Sequence, residues 1–257
     1  MKLRGYVALA IVCLGLLLSD IVQRFVITPW VKLRPSRRVP VLTSWINFMA
    51  RLVTRPFVRV GAAHIPVPGR VVPAEPGVLI VMNHQSLFDI PLVVQVVDGG
   101  YPRIVTRKRY GRWIPVISQM TRLYQYPLVD PSANPATMRQ TYRELRDMAR
   151  SAEQPVAIFP EGSRSRDGSL GRFRTKGLAL LLRARPWKVY VIVGDGFWKH
   201  ARFWDFLKGI SGIRGSIALA GVLEWDDPKA DPEPFIAEVR RLMESELERL
   251  RSEPWAA

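Results

Sequence analysis

The stretch Val78-Leu79-Ile80-Val81-Met82-Asn83-His84-Gln85-Ser86-Leu87-Phe88-Asp89 decides how this chain folds. Its first five residues form an unbroken apolar run, which is typical of a strand buried on both faces. The residues that follow, 87–97, have the spacing of a helix. A buried strand that leads directly into a helix is the repeating unit of α/β proteins.

The same alternation of apolar runs and helical patterns continues along the chain. Further strands are predicted over 103–106, 126–129, 156–159, 189–193 and 216–223. Further helices are predicted over 110–120, 136–152, 176–183 and 234–251. The pattern predicts an α/β fold in layers, with a mostly parallel sheet flanked by helices. In such sheets, ligands bind beyond the carboxyl ends of the strands.

Charge is concentrated at the start of the chain. The 257 residues carry a formal charge of +16, from 38 Lys and Arg against 22 Asp and Glu. Residues 1–60 contain ten basic side chains and one acidic one, Asp20. Because tryptophan and aliphatic residues lie between these charges, an anionic lipid surface is favoured over nucleic acid as the partner. No zinc-finger spacing or run of like charges supports nucleic acid.

An apolar segment, 6–18, follows two basic residues near the N-terminus. A signal peptide has the same pattern, but no small-x-small cleavage site follows the segment. A helix spanning a bilayer from Gly5 to Ile27 would bury Asp20 and Arg24. The next stretch, 41–60, has the spacing of an amphipathic helix. These observations favour an uncleaved two-helix membrane anchor in the interface, with a transmembrane span as the alternative.

A stretch rich in proline and glycine, 65–77, indicates a linker or surface loop between two parts of the chain. We therefore predict the two-helix anchor over residues 1–62 and an α/β domain over 63–257. The single cysteine, Cys13, rules out a disulfide within the chain and fits a reducing compartment. Three scattered histidines form no recognisable metal-binding motif, so we expect neither a metal nor a bound cofactor.

His84 and Asp89 are five residues apart at the predicted turn between strand and helix. A neutral imidazole can take a proton from an alcohol if a carboxylate holds its other ring nitrogen. The pair has that geometry if His84 lies in the turn and Asp89 in the first turn of the helix. The structural alternative is a capping box in which Asp89 serves only the start of the helix.

A second segment, Phe159-Pro160-Glu161-Gly162-Ser163-Arg164-Ser165, also follows a predicted buried strand. Gly162 allows the backbone to approach a ligand, and Arg164 can bind a phosphate through two N–H groups. The structural alternative is a turn with a solvated arginine, in which Glu161 is the ion-pair partner of neighbouring arginines.

Together, the two segments resemble the 1-acylglycerol-3-phosphate acyltransferase family, within the glycerophospholipid acyltransferase superfamily. The first is similar to its Asn-His-x-Ser-x-x-Asp block, which contains the His-x4-Asp motif. The second is similar to its Phe-Pro-Glu-Gly-Thr-Arg-Ser block, with serine in place of threonine. The likeness extends over roughly 75–195, and the basic N-terminal part resembles the interfacial anchor of bacterial members.

The resemblance implies an acyltransferase of phospholipid biosynthesis on a bacterial-type inner membrane, with its catalytic domain on the cytoplasmic face. His84 would be the general base and Asp89 its orienting partner. Acyl-CoA or acyl carrier protein would supply the acyl group, and a lyso-lipid, above all 1-acyl-sn-glycerol-3-phosphate, would receive it to give phosphatidic acid. The implied substrate-binding residues are Asn83, Ser86, Lys108, Glu161, Gly162, Ser163, Arg164, Ser165, Arg174 and Lys176.

One departure from the family concerns the acceptor. The arginine that the family places after an apolar strand is represented here by Pro131. Lys108, Arg174 or Lys176 could substitute for it. Alternatively, the acceptor is another lyso-lipid, such as a lyso-aminolipid or a lysophospholipid with a headgroup. The alternative from another class is a membrane-binding protein that keeps the fold without catalysis.

Overall fold

The structure is a computed structural model that describes residues 2–65, 69–130, 134–201 and 203–252. Its strands are β1 (Val72–Pro73), β2 (Val78–Met82), β3 (Val97–Asp98), β4 (Arg103–Ile104), β5 (Thr106–Arg107), β6 (Leu128–Val129), β7 (Val156–Ile158), β8 (Trp187–Asp195) and β9 (Ser216–Trp225). Its α-helices are α1 (Lys2–Val22), α2 (Thr28–Leu33), α3 (Arg38–Arg59), α4 (Asp89–Gln95), α5 (Ile117–Leu123), α6 (Pro135–Arg150), α7 (Thr175–Leu182), α8 (Phe203–Lys208) and α9 (Pro232–Ser252).

A five-stranded sheet with the order β4-β7-β2-β8-β9 forms the centre of the fold. Its first four strands are parallel, and β9 is antiparallel to β8 at one edge. Two small parallel pairs, β1 with β3 and β5 with β6, lie outside this sheet. The prediction of a layered α/β fold with a mostly parallel sheet is therefore confirmed.

The aliphatic run of β2 supplies both faces of the sheet, because successive side chains of a strand point to opposite sides. Ile80 and Met82 belong to one apolar cluster, which also contains residues of α1, α3 and α4. Leu79 and Val81 belong to the other, with residues of α6, α7 and α9. The unbroken apolar run thus reflects a strand between two layers of helices.

The N-terminal region forms a long helical hairpin. A five-residue π-helical turn, Gln23–Ile27, joins α1 to α2, and the combined helix from Lys2 to Leu33 is long and apolar enough to cross a membrane. The helix predicted over 41–60 is present as α3. Its Phe57 lies edge-on to Phe88 beside α4, with 5.4 Å between ring centroids. The hairpin therefore shares its apolar core with the sheet.

Two of the predicted elements are wrong because the chain changes direction within them. The strand predicted over 103–106 is split, since β4 belongs to the central sheet and β5 pairs with β6. The helix predicted over 110–120 begins only at Ile117. Pro115 disfavours helical geometry at the residue before it, and Trp113 and Val116 have φ values of 64°.

The stretch predicted as a linker or surface loop, 65–77, contains one strand, because β1 pairs in parallel with β3. Residues 66–68 of that linker lie outside the described residues. The same pairing shortens the helix predicted over 87–97, since its last residue belongs to β3. The short helix α8 was not predicted, because six residues are too few for a periodic signal. The strand predicted over 78–82 is present with the same bounds as β2, and the remaining predicted strands and helices are present with shifted ends.

Candidate active site

The turn between β2 and α4 is fastened by side chains that the sequence assigned to substrate. Asn83 is buried, and its amide exchanges two hydrogen bonds of 2.8 Å with the backbone of Gly194 in β8. Ser86 is also buried, and its Oγ accepts a bond of 2.9 Å from the N–H of Phe88. Both residues hold the turn in shape and do not line the neighbouring cavity.

His84 and Asp89 meet in the predicted geometry. Nδ1 of His84 lies 2.7 Å from Oδ2 of Asp89, whose side chain is 1% exposed. The same oxygen accepts the backbone N–H groups of Gln85 and Ser86, at 2.6 and 2.8 Å. Asp89 therefore has both of the predicted roles. Its carboxylate accepts the backbone N–H groups at the start of the helix and also holds the imidazole of His84.

One ring nitrogen of His84 remains available to a substrate. Because Nδ1 is engaged by Asp89, Nε2 is the atom that can accept a proton. The ring packs against Phe159, with 4.5 Å between centroids, and the side chain is 18% exposed. Contact with an apolar ring on one side and a carboxylate on the other fixes the orientation of the imidazole.

The second segment holds the backbone of His84. Oε1 of Glu161 accepts the His84 N–H at 2.8 Å, and the N–H of Ser165 donates to the His84 carbonyl at 2.7 Å. Oε2 of Glu161 accepts the N–H of Gly171 at 2.8 Å. Burial raises the pKa of the Glu161 carboxyl, and its two backbone hydrogen bonds oppose that rise. Glu161 borders the cavity, yet both of its carboxylate oxygens accept hydrogen bonds from backbone N–H groups.

Gly162 occupies a position that requires glycine. Its φ is 64°, and a Cβ there would lie 2.9 Å from Cδ of Arg174. The guanidinium of Arg107 donates a hydrogen bond to the Gly162 carbonyl. The turn at 162 therefore brings two arginine side chains together, and one of them, Arg107, was missed from the sequence.

A cavity of about 1060 Å³ opens beside His84, between this turn and the segment around β5. Of the predicted substrate-binding residues, its wall contains Glu161, Gly162, Ser163, Arg164, Arg174 and Lys176. Lys108 and Ser165 do not line it, whereas the neighbours of Lys108, Arg107 and Arg109, do. The prediction that Lys108 lines the site is therefore not met. Arg107 and Arg109 were missed, although two basic residues at alternate positions after a predicted strand could have indicated them.

The cavity is strongly cationic. Its basic side chains are Arg107, Arg109, Arg164, Arg166, Arg172, Arg174 and Lys176. The carboxylates on the wall are Asp130 and Glu161, and the latter is engaged by backbone groups. Clustered cations in a concave site attract anions and raise their local concentration. The arrangement can therefore bring an anionic molecule to a basic imidazole nitrogen.

A further buried network supports the turn from behind. Nε2 of Gln85 donates to Oδ1 of Asp195 at 3.1 Å, and Oε1 of Gln85 accepts the N–H of Phe197 at 3.1 Å. Asp195 also accepts the guanidinium of Arg251, at 2.9 Å. Gly196, between Asp195 and Phe197, has φ 88°, which glycine adopts readily. The stretch at the end of β8 therefore joins the turn between β2 and α4 to α9.

The chain is similar in sequence to known acyltransferases. A family model described as Acyltransferase matches residues 64–193, half of the chain. Over 107 residues, 42% of this chain, the sequence is 28% identical to the 1-acyl-sn-glycerol-3-phosphate acyltransferase of Cocos nucifera. Over 127 residues, 49% of this chain, it is 29% identical to the enzyme of the same name from Limnanthes douglasii. The matched parts span only 34% and 44% of these relatives.

The crystal structure of the 1-acyl-sn-glycerophosphate acyltransferase PlsC from Thermotoga maritima has a similar fold. The TM-score is 0.67, and the match covers 96% of this chain and 100% of that one. At 19% identity, this likeness shows a common fold.

Proposed function

Because the chain belongs to the Acyltransferase family, we propose that it is a membrane-surface O-acyltransferase of phospholipid biosynthesis. It transfers a fatty acyl group from acyl-CoA or acyl carrier protein to the hydroxyl of a lyso-lipid, with 1-acyl-sn-glycerol-3-phosphate as the favoured acceptor. The observation that carries this proposal is that His84, on the wall of a cationic cavity, lies 2.7 Å from the buried carboxylate of Asp89. The reaction needs neither metal nor bound cofactor.

The proton transfer follows from the geometry of the pair. Nε2 of His84 accepts the proton of the acceptor hydroxyl, and Asp89 stabilises the imidazolium that forms. The carboxylate also keeps the free electron pair on the nitrogen that faces the cavity. Asp89 can do this at all times because its own position is fixed by the N–H groups of Gln85 and Ser86.

The acyl group then passes directly from the thioester to the acceptor, without a covalent acyl-enzyme. The deprotonated hydroxyl oxygen attacks the thioester carbonyl carbon, and a carbon–oxygen bond forms. The carbon–sulfur bond breaks, and the proton held by His84 passes to the leaving thiolate. The products are the ester and the free thiol of the carrier, and the imidazole is neutral again.

The arginines of the cavity support an acceptor that carries phosphate. Arg107 uses one of its five N–H donors on the Gly162 carbonyl, which positions the remaining donors at the wall. Arg164 follows Gly162 by two residues and also borders the cavity. A phosphomonoester has three oxygens that can accept such bonds, so arginines from two segments can hold it together. They would replace the family arginine at the position of Pro131, which lies outside the described residues.

The acceptor could instead be another lyso-lipid, a lyso-aminolipid or one with a larger headgroup. Proline at position 131 favours this second candidate, since it removes a cation that the family uses for the phosphomonoester. The chemistry at His84 would be the same.

The N-terminal hairpin supports attachment to a membrane surface. Along the combined helix from Lys2 to Leu33, a Cβ on Gly5 would lie 2.7 Å from Ile210, and Gln23 bonds to Val116 at 3.1 Å. These two contacts with the α/β domain are about 27 Å apart along the helix axis. A bilayer core is about 30 Å thick, so a spanning α1 with both contacts would draw the domain into the lipid. We therefore place the hairpin in the interface, on the cytoplasmic face of a bacterial-type inner membrane.

Acyl transfer to a panel of lyso-lipids in mixed micelles tests the proposal. The donor is a labelled long-chain acyl-CoA, and acyl carrier protein replaces it in a second series. His84→Ala is expected to lose at least about 10²-fold in turnover. His64→Ala, at an exposed histidine away from the cavity, is the matched control and keeps full activity.

The product identifies the acceptor. Phosphatidic acid alone supports the favoured assignment, and product from another lyso-lipid supports the second candidate. Equal turnover by the protein and its His84→Ala variant would refute His84 as the base. No turnover with either donor would refute acyl transfer and favour a membrane-binding protein.

A further inference from the structure

Both the backbone N–H and the backbone carbonyl of Val116 are bonded to side chains of the N-terminal helix. Oδ1 of Asp20 accepts the Val116 N–H at 2.6 Å, and Nε2 of Gln23 donates to the Val116 carbonyl at 3.1 Å. Gln23 is fully buried, and its Oε1 accepts Nε1 of Trp45 at 2.8 Å. The polar residues of an otherwise apolar helix therefore fasten the segment before α5 to the hairpin.

The fastened segment has a strained backbone. Val116 and Trp113 both have φ 64°, in the left-handed region that side chains with a Cβ rarely adopt. Such a conformation is energetically unfavourable and persists only where the surrounding structure holds it. At Val116 the hydrogen bonds from α1 supply that support. The segment is thus kept in one particular shape by the hairpin.

The shape exposes apolar side chains. Trp113 is 95% exposed, and Ile117 is 41% exposed. On the hairpin, next to the residues that hold Val116, Ile21 and Phe25 are 56% and 75% exposed. Exposed apolar residues grouped in this way mark an interaction surface. Tryptophan in particular is favoured at the boundary of a bilayer, where its ring lies among the headgroups.

The charges around Trp113 fit a lipid surface. Arg112 precedes it and is exposed, and Arg109 is exposed at the edge of the cavity. Basic residues beside interfacial aromatics attract anionic headgroups. The bonds of Asp20 and Gln23 to Val116 also join this segment to the N-terminal helix, whose exposed apolar side chains include Ile21. A bilayer therefore accounts for the whole surface better than a protein partner of limited extent.

We propose that Trp113 and Ile117 form a second membrane contact, which inserts at the bilayer interface beside the mouth of the active-site cavity. This inference rests on the proposed membrane-surface function. Tyr110 lines the cavity, and Trp113 is three positions later in the chain, so their Cα atoms are at most about 11 Å apart. The contact therefore places the arginines of the cavity within reach of a lyso-lipid headgroup that is still in the membrane.

Environment-sensitive labels test the contact. The native Cys13, exposed on α1, is labelled with the fluorophore NBD in the unaltered protein. In a Cys13→Ser background, Trp113→Cys carries the label at the proposed contact. Glu153→Cys carries it in the exposed loop before β7, at the opposite end of the sheet from the cavity, as the control. Each protein is mixed with vesicles of phosphatidylglycerol and phosphatidylcholine.

The proposal predicts a blue shift at positions 13 and 113 and none at 153. A shift at 13 without one at 113 would overturn the second contact and leave the anchor intact. Absence of a shift at both positions would overturn membrane attachment itself, so the two failures are distinguishable.

A kinetic measurement uses the unlabelled protein. Trp113→Ala is expected to raise the KM for acceptor presented in vesicles about tenfold, because an aromatic anchor worth about 1.4 kcal/mol is lost. Trp113→Phe keeps an apolar ring and should recover most of the loss. An unchanged KM in Trp113→Ala would contradict the proposal.

Discussion

The backbone N–H of His84 donates a hydrogen bond of 2.8 Å to Oε1 of Glu161, a residue 77 positions later in the chain. This bond and the Ser165–His84 bond join the two motif segments at the main chain of the proposed base. Glu161 therefore contributes to the site by fixing the position of His84. Its charge is buried between backbone donors and is not offered to a substrate.

Glu161→Gln should lower the free energy of unfolding by about 1–3 kcal/mol, because one buried N–H would face the amide NH2 instead of an acceptor. The affected donor is that of His84 or of Gly171. Chemical denaturation of the two proteins at pH 7 measures the difference. An unchanged stability would mean that the two hydrogen bonds contribute nothing.

The difference in stability between the natural protein and Glu161→Gln should depend on pH. Burial raises the pKa of Glu161 above its ordinary value of 4.5, so the folded protein binds this proton more tightly than the unfolded chain does. The stabilising contribution of the protonated form is complete below pH 4.5 and is lost as the pH rises through the folded pKa. The stability advantage of the natural protein over Glu161→Gln should therefore be larger at pH 4.5 than at pH 7. An advantage that grows with pH would show that the pKa is lowered.

Asp89→Asn should reduce kcat by more than about 10²-fold while changing the KM for the acceptor little. The amide can donate to Nδ1 and leave the proton on Nε2, which then cannot act as the base. Steady-state kinetics on a soluble short-chain acceptor separates the two parameters. A rise in KM at constant kcat would instead assign Asp89 to binding.

Arg107→Gln and Lys108→Gln form a matched pair at neighbouring positions, because only the first side chain lines the cavity. Loss of a charged phosphate contact should raise the KM for lysophosphatidic acid about tenfold or more in Arg107→Gln. Lys108→Gln should change it far less. A larger rise in KM in Lys108→Gln than in Arg107→Gln would indicate that Lys108, as predicted from the sequence, binds the phosphate.

Gln85→Leu should lower kcat about tenfold, because the turn that carries His84 loses its bonds to Asp195 and Phe197. Arg251→Gln removes only the far end of the network and should have a smaller effect. Gln85 acts here as a positioning residue, so the pH at which the rate is half-maximal should shift in Gln85→Leu. A variant with lower stability but the natural rate and pH profile would indicate a purely structural role.

Much of the site could be predicted from the sequence because its chemistry is local. The aliphatic run of β2 and the five-residue spacing from His84 to Asp89 together determine a turn in which the carboxylate reaches the imidazole. The same holds for Gly162, whose positive φ is a property of the local turn. The roles of these residues in catalysis stay predictions until the variants are measured.

Other parts depend on which segments the fold brings together. Arg107 lies on a two-residue strand, and only the pairing of β5 with β6 and the turn at Gly162 bring it to the cavity. Asn83 and Ser86 were assigned to substrate, but distant or backbone partners engage them. Asp195 follows no recognisable pattern, since its partners Gln85 and Arg251 come from opposite ends of the domain.

The sequence by itself determined the buried strand, the turn with its base and carboxylate, and the cationic apolar start of the chain, because each depends on residues close together in the chain. Tertiary structure alone decided which arginines line the cavity beside His84, that Glu161 holds a backbone, and that Asp20 of α1 bonds to Val116. Those contacts join residues tens to hundreds of positions apart, and only the packing of the layers sets their distances.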